Sequence, residues 1–212
     1  MSKLKNIECT YTNWGPYLMK TKMPDYIIKR LKAEGLKCKT SYNKHLAGHL
    51  NNQFLYPKAV QMWFYNEITP VLEAYRHGHC QFHGVENLRV ELEPSDLWVN
   101  YMKAGDFNPL HTHGSDYSFV LFLDIPKALE KEQKQFEGTA AKPGALMFEY
   151  TQQARPRWAT TGTTICPTTG DFYMFPALLQ HWVAPFKSKV TRTSVSGNIS
   201  LLNKDKLPNN YF

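Results

Sequence analysis

His111 and His113 stand two residues apart in Leu97–Leu123, LWVNYMKAGDFNPLHTHGSDYSFVLFL. Side chains two apart on an extended segment project to one face, so a strand here aims two imidazoles into one space. A third histidine, His181, lies far downstream in the strand-like run QHWVA. Imidazole binds iron, zinc, copper and nickel. Two ligands at i and i+2 with a third from a distant strand can supply one face of an octahedron, leaving positions open to a co-substrate and O2. An isolated H-x-H also reads as a polar strand end, so its context has to decide.

That context is Arg192, eleven residues beyond His181 on the next strand. An arginine buried near a metal needs an anionic partner, because an unpaired buried charge is costly. A dicarboxylate chelating the metal at one end would offer its other end to the planar guanidinium. The competing reading of Arg192 is a surface ion pair. The alternation of Arg192, Ser194, Ser196 and Asn198 with Val195 favours an inward polar stripe.

The elements that must position these groups follow from pattern. Residues 1–22 read as short strand and loop. Pro24-Asp25 opens a helix with Tyr26, Ile27, Ile28 and Leu31 on one face and Gly35 as its stop. Pro57–Tyr75 makes a second amphipathic helix, with a kink or break expected near Thr69 ahead of Pro70. Arg76–His83, RHGHCQFH, reads as a surface loop rather than a metal tract, and His45 and His49 as structural. Strands are expected at Leu88–Leu92, then, after a turn at Pro94-Ser95-Asp96, at Leu97–Lys103 and Tyr117–Leu123. Lys127–Lys142 is a charged loop or short helix, Ala145–Tyr150 a strand, and Thr151–Gly170 a long loop suited to a lid, with Trp158 as its substrate-facing candidate. Asp171–Phe175, Gln180–Ala184 and Thr191–Leu201 complete the strands. Two helices followed by about eight strands point to an α+β chain, a β-barrel or sandwich braced by helices.

Composition limits the alternatives. The 212 residues are 42% hydrophobic and 20% charged, the balance of one folded domain. The net charge of +7 raises nucleic acid as a partner, yet the basic residues are dispersed and do not interleave with aromatics, so no nucleic-acid partner is expected. Four widely spaced cysteines include no C-x-x-C pair, consistent with thiols in a reducing cytosol. The N-terminus lacks the apolar core of a secretory signal, and no run approaches the roughly 20 apolar residues of a membrane span. No membrane partner and a cytoplasmic location are expected.

NYMKAGDFNPLHTHGSDYSFVLFLDIP, with GDFYMFPALLQHWVAPF and TRTSVSGN, resembles the 2-oxoglutarate/Fe(II)-dependent oxygenases of bacteria and phages, on their prolyl-hydroxylase-like branch. The resemblance covers residues 88–201, with a weaker likeness at LAGHLNNQF. It implies one domain over residues 1–212: helical support in 1–83 and, in 84–203, a double-stranded β-helix, a jelly-roll or cupin-like barrel. It implies Fe(II) near His111 and His181, and 2-oxoglutarate, the small-molecule co-substrate, anchored by Arg192 and Ser194 with Asn100 beside them. The activity implied is an O2-consuming hydroxylation of a peptidyl or free amino-acid side chain, prolyl foremost, in the host cytoplasm if the chain is phage-encoded. The superfamily's usual second ligand is a carboxylate at the position of His113. Strand parity favours His113 itself as ligand; Asp116 is the alternative, as substitute ligand or supporting catalytic group. A cupin-type three-histidine enzyme without 2-oxoglutarate is a rival, but the glutamate expected after its H-x-H is absent. A non-catalytic β-barrel binding module is the third reading.

Overall fold

In the computed structural model, which describes residues 8–13, 16–83, 90–150 and 162–202, the strand pattern resolves into two antiparallel sheets. The larger has seven strands, in the order β1 (Cys9–Asn13), β2 (Tyr17–Lys22), β9 (Asp171–Pro176), β6 (Tyr117–Asp124), β11 (Arg192–Leu202), β4 (Glu91–Met102) and β3 (Gln53–Leu55). The smaller has four: β5 (Asn108–His111), β10 (Gln180–Val183), β7 (Leu146–Glu149) and β8 (Gly162–Ile165). Neither sheet closes on itself, so the expected barrel is corrected to two open sheets. Strand β8 also falls inside the stretch expected to be loop.

Period-2 alternation gives the larger sheet two distinct faces. Leu97 and Val99 of β4, Phe119 and Leu121 of β6 and Val195 of β11 pack into one apolar cluster with helices α1 (Asp25–Gly35) and α2 (Lys58–Phe82). Met102, Phe122, Tyr173 and Phe175 turn the other way and pack with Leu146, Phe148 and Val183 of the smaller sheet. The site lies in this second layer, between the sheets. Helix α3 (Lys127–Gln135) inserts Leu129 into the same layer. No described helix is long and apolar enough to cross a membrane.

Helix α1 has the bounds its pattern predicts. Helix α2 does not: it runs unbroken through Pro70 to Phe82. Pro70 lacks the N–H that would bond four residues back, and the Thr69 hydroxyl donates to Tyr65 O at 3.0 Å beside that gap. The buried face of Val60, Phe64, Ile68, Val71, Leu72 and Tyr75 holds the helix together across it. The RHGHCQFH segment is therefore the last turns of α2, not a surface loop. His79 packs edge-on against Tyr17 at 5.7 Å and Tyr117 at 5.7 Å, contacts that override the helix-weakening Gly78. Pro94-Ser95-Asp96 is likewise no turn. It lies inside β4, where Ile199 pairs with Pro94 and Gly197 with Leu97, so two residues of β4 bulge opposite Asn198.

Gly197 on β11 lets α2 settle on the sheet. A Cβ there would stand 2.5 Å from the Tyr65 hydroxyl and 2.6 Å from Phe119 Cζ, both buried. Gly197→Ala is expected to destabilise the fold by about 1–3 kcal/mol, the typical cost of overpacking. Urea unfolding would read this as a lower midpoint at unchanged slope; an unchanged midpoint would refute the close approach.

Candidate metal centre

Strand β5 ends at His111, and β10 carries His181 directly across from it in the antiparallel register. His113 lies two residues beyond β5, its backbone N–H donating to Ala177 O at 2.9 Å. Three imidazoles from two segments of the chain thus meet, with ring centroids 4.2–5.0 Å apart. Their ligand nitrogens all lie within 4.8 Å of one another, and His113 Nε2 is 3.2 Å from His181 Nε2. Two nitrogens at cis positions about 2.1 Å from one ion stand about 3.0 Å apart, so the pair fits a shared metal.

Local structure orients the rings. His111 Nδ1 meets Pro109 O at 2.7 Å and His181 Nδ1 meets Leu179 O at 2.8 Å, the same i to i−2 device on both strands. An Nδ1–H donating to a carbonyl fixes the tautomer that turns a lone-paired Nε2 inward. Burial pulls His113 down to about 4 and His181 to about 3, and lowers His111 in the same direction. Neutral imidazoles are what metal ligation requires.

Arg192 opens β11 and is 3% exposed. Its guanidinium carbon sits 4.6 Å above the Phe122 ring, and one Nη1 contacts Met102 Sδ at 3.3 Å. Among the described residues its Nε has no partner and no carboxylate pairs with it. Burial lowers it to about 9, which leaves it cationic at neutral pH. The guanidinium, Ser194, Asn100 and the three histidines line one cavity of about 240 Å³. A buried cation without an anion beside a cluster of neutral imidazoles fits a metal-chelating dicarboxylate.

Asp116 is not part of this group. Its Oδ2 accepts the Leu201 N–H at 2.8 Å and its backbone carbonyl accepts the Ala177 N–H at 2.9 Å, so it ties the start of β6 to the end of β11. No carboxylate joins the three histidines among the described residues. Asn100 lines the cavity, but its amide is engaged on both sides, by Gln53 and Ser196. Trp158 lies outside the described residues. Sequence reasoning missed Gln53, Trp98 and His45, which also line the cavity; the likeness at LAGHLNNQF reached only Gln53.

An unfolded histidine titrates near 6.5, whereas burial also lowers His79, to about 4. Between those values the unfolded chain binds protons that the folded one does not, so stability rises with pH and is lost as pH falls below about 6.5. The metal-free protein should show a lower urea midpoint at pH 5 than at pH 7. Equal midpoints would mean these rings are not held neutral by burial.

Residues 96–198 match a family model described as "Putative 2OG-Fe(II) oxygenase". No curated protein matches the chain in sequence. Among solved structures it is similar to a viral collagen prolyl hydroxylase of Paramecium bursaria Chlorella virus-1, in complex with 2-oxoglutarate, with TM-score 0.54 and 16% identity over 87% of this chain and 96% of that one. A Trichoplax adhaerens prolyl hydroxylase, in complex with a hypoxia-inducible-factor peptide fragment, gives 0.56 and 8% over 86% and 83%. A Pseudomonas putida prolyl-4-hydroxylase gives 0.51 and 14% over 88% and 93%. At such identities the structural likeness speaks for the fold, and the family model carries the sequence. The segment that matches the 2OG-Fe(II) oxygenase model, residues 96–198, holds all three histidines and Arg192.

Proposed function

We propose that the protein is a 2-oxoglutarate-dependent hydroxylase in which His111, His113 and His181 hold Fe(II), and Arg192 with Ser194 holds the distal carboxylate of 2-oxoglutarate. The observation that carries this reading is Arg192: a buried guanidinium with no acidic partner in a cavity it shares with the histidine cluster. When bound, iron and 2-oxoglutarate with O2 supply oxidative decarboxylation to succinate and CO2, coupled to hydroxylation of a C–H bond. The chain's own residues bind, orient and exclude water. The carbonyls of Pro109 and Leu179 hold two imidazoles in the ligating tautomer. Phe122 and Met102 pack against the guanidinium and keep water from competing for it. Three neutral ligands would leave the charge of a divalent ion uncompensated, and the metal-facing carboxylate of the co-substrate would offset part of it.

The prime substrate is proposed to be a peptidyl or free amino-acid side chain. A cavity of about 240 Å³ lies below the roughly 300–1,000 Å³ of pockets that enclose drug-sized ligands. Once the co-substrate is in place, only a side chain or a molecule of similar size can enter.

Iron-loaded protein given O2 should convert 2-oxoglutarate to succinate, and His111→Ala and His181→Ala should abolish both turnover and metal binding. Metal binding without succinate would instead favour a cupin-type enzyme; unchanged metal binding in the alanine variants would favour a non-catalytic binding module. Arg192→Met should keep the metal but raise the KM for 2-oxoglutarate roughly 30–150-fold, the loss of a charge-assisted hydrogen-bond pair of about 2–3 kcal/mol. A shift below about threefold would remove Arg192 from the co-substrate site.

A further inference from the structure

Gln53 occupies the three-residue edge strand β3, yet it is 2% exposed. Its Nε2 donates to Asn100 Oδ1 at 2.8 Å, and Asn100 Nδ2 donates in turn to Ser196 Oγ at 3.3 Å. This chain fixes the Gln53 amide. It leaves Oε1 a buried acceptor with no partner among the described residues. Asn108, at the start of β5, repeats the situation: its Oδ1 is buried and unpartnered, and a Cβ on the facing Gly48 would collide with it. Both amides line the cavity that holds the histidines. A folded chain rarely leaves two buried acceptors unpaired, because each forfeits a hydrogen bond it had in water.

The sheet register separates Gln53 from the proposed co-substrate end. Gln53 pairs with Asn100, and Asn100 with Ser194, so Gln53 lies two strand spacings, about 10 Å, from the strand that carries Arg192. The Gln53 acceptor is therefore left to the other occupant of the cavity, and Asn108, on the strand that ends at His111, lines the same cavity. Charge narrows what that occupant is. No Asp or Glu lines the cavity among the described residues, so an ammonium or guanidinium would be buried without a counter-ion. A carboxylate would direct its lone pairs at two other acceptors. A neutral group with two donors satisfies both walls.

Resting on the oxygenase reading above, we infer that the prime-substrate pocket is built for a carboxamide side chain, whose NH2 donates to Gln53 Oε1 and Asn108 Oδ1. Gln53 is then the residue that sets specificity, and the Asn100–Ser196 chain holds its amide in the accepting orientation. A prolyl ring has no donor and would leave both acceptors unpaired. This sets the pocket apart from what the prolyl-hydroxylase likeness alone suggests.

The test uses the full chain loaded with nickel and 2-oxoglutarate, which binds without turning over. Calorimetric titration of 2-oxoglutarate into the nickel protein, wild type against Arg192→Met, comes first. Absent or unaltered binding there sinks the oxygenase reading and says nothing of the acceptors. The loaded protein is next titrated with acetyl-Gly-Xaa-Gly-amide peptides, where Xaa is Asn, Gln, Leu, Met or Pro. The carboxamide peptides should bind about tenfold or more tightly than their Leu and Met isosteres and than the Pro peptide. In Gln53→Met, with near-ultraviolet circular dichroism confirming the fold, the advantage should shrink to within about threefold. Equal affinities across the panel, a preference for Pro, no binding by any peptide, or an undiminished carboxamide preference in Gln53→Met would each overturn the inference. Should Gln53→Met fail to fold, the wild-type comparison alone decides.

Discussion

Everything at this site depends on one strand pairing, the register that sets His181 of β10 against His111 of β5. Side chains on a strand alternate faces, so a slip of one residue would turn either imidazole out of the cavity. The register is held from both sides. On its other edge β10 pairs residue by residue with β7 from Gln180↔Glu149 to Val183↔Leu146, and Ala177 O takes the His113 N–H just before β10 begins. The rings need little further guidance, because the carbonyls two residues back hold His111 and His181 in position. A centre assembled by backbone ladders does not rely on flexible side chains finding one another.

The second half of the site is bound to the first by the double use of β11. Val195 and Ile199 pack into the apolar cluster under the helices, while Arg192, Ser194 and Ser196 line the cavity on the opposite face. The same alternation runs through β4, with Leu97 and Val99 on the helix side and Trp98 and Asn100 on the cavity side. The larger sheet is thus fixed by its outer face and left free to carry polar groups on its inner one. Those groups are poorly satisfied in isolation. A guanidinium nitrogen and two amide oxygens in one cavity lack partners among the described residues, and their burial is a stability penalty that ligand binding would relieve.

Much of this was legible in the sequence where local pattern and tertiary outcome agree. The apolar face of α1, the strand Tyr117–Leu123 and the polar alternation along Arg192–Asn198 each have a period that only one structure satisfies. Strand parity also separated His113 from Asp116: the former joins the cluster and the latter serves the β6–β11 junction. Pattern failed where distant contacts decide. Pro70 reads as a helix break until the whole buried face of α2 is counted, and Pro94 as a turn until a bulge opposite Asn198 absorbs it. Gln53 gave no periodic signal because a three-residue strand has no period, and its amide acquires meaning only from Asn100, 47 residues away.

The engagement of Asp116 in backbone pairing has a consequence for the proposed ligand set. A carboxylate ligand would neutralise part of the metal's charge permanently, whether or not co-substrate is present. With three imidazoles and no acidic group around the cavity among the described residues, a divalent ion and Arg192 would together carry three positive charges, of which the dianion would offset two. If both bind as proposed, metal and 2-oxoglutarate would reinforce each other, and by linkage each would raise the other's affinity by the same factor. In the proposed arrangement the metal would hold the co-substrate at one end and the guanidinium would hold it at the other. With His113 as the proposed third ligand in place of a carboxylate, the co-substrate would be the anion nearest the metal.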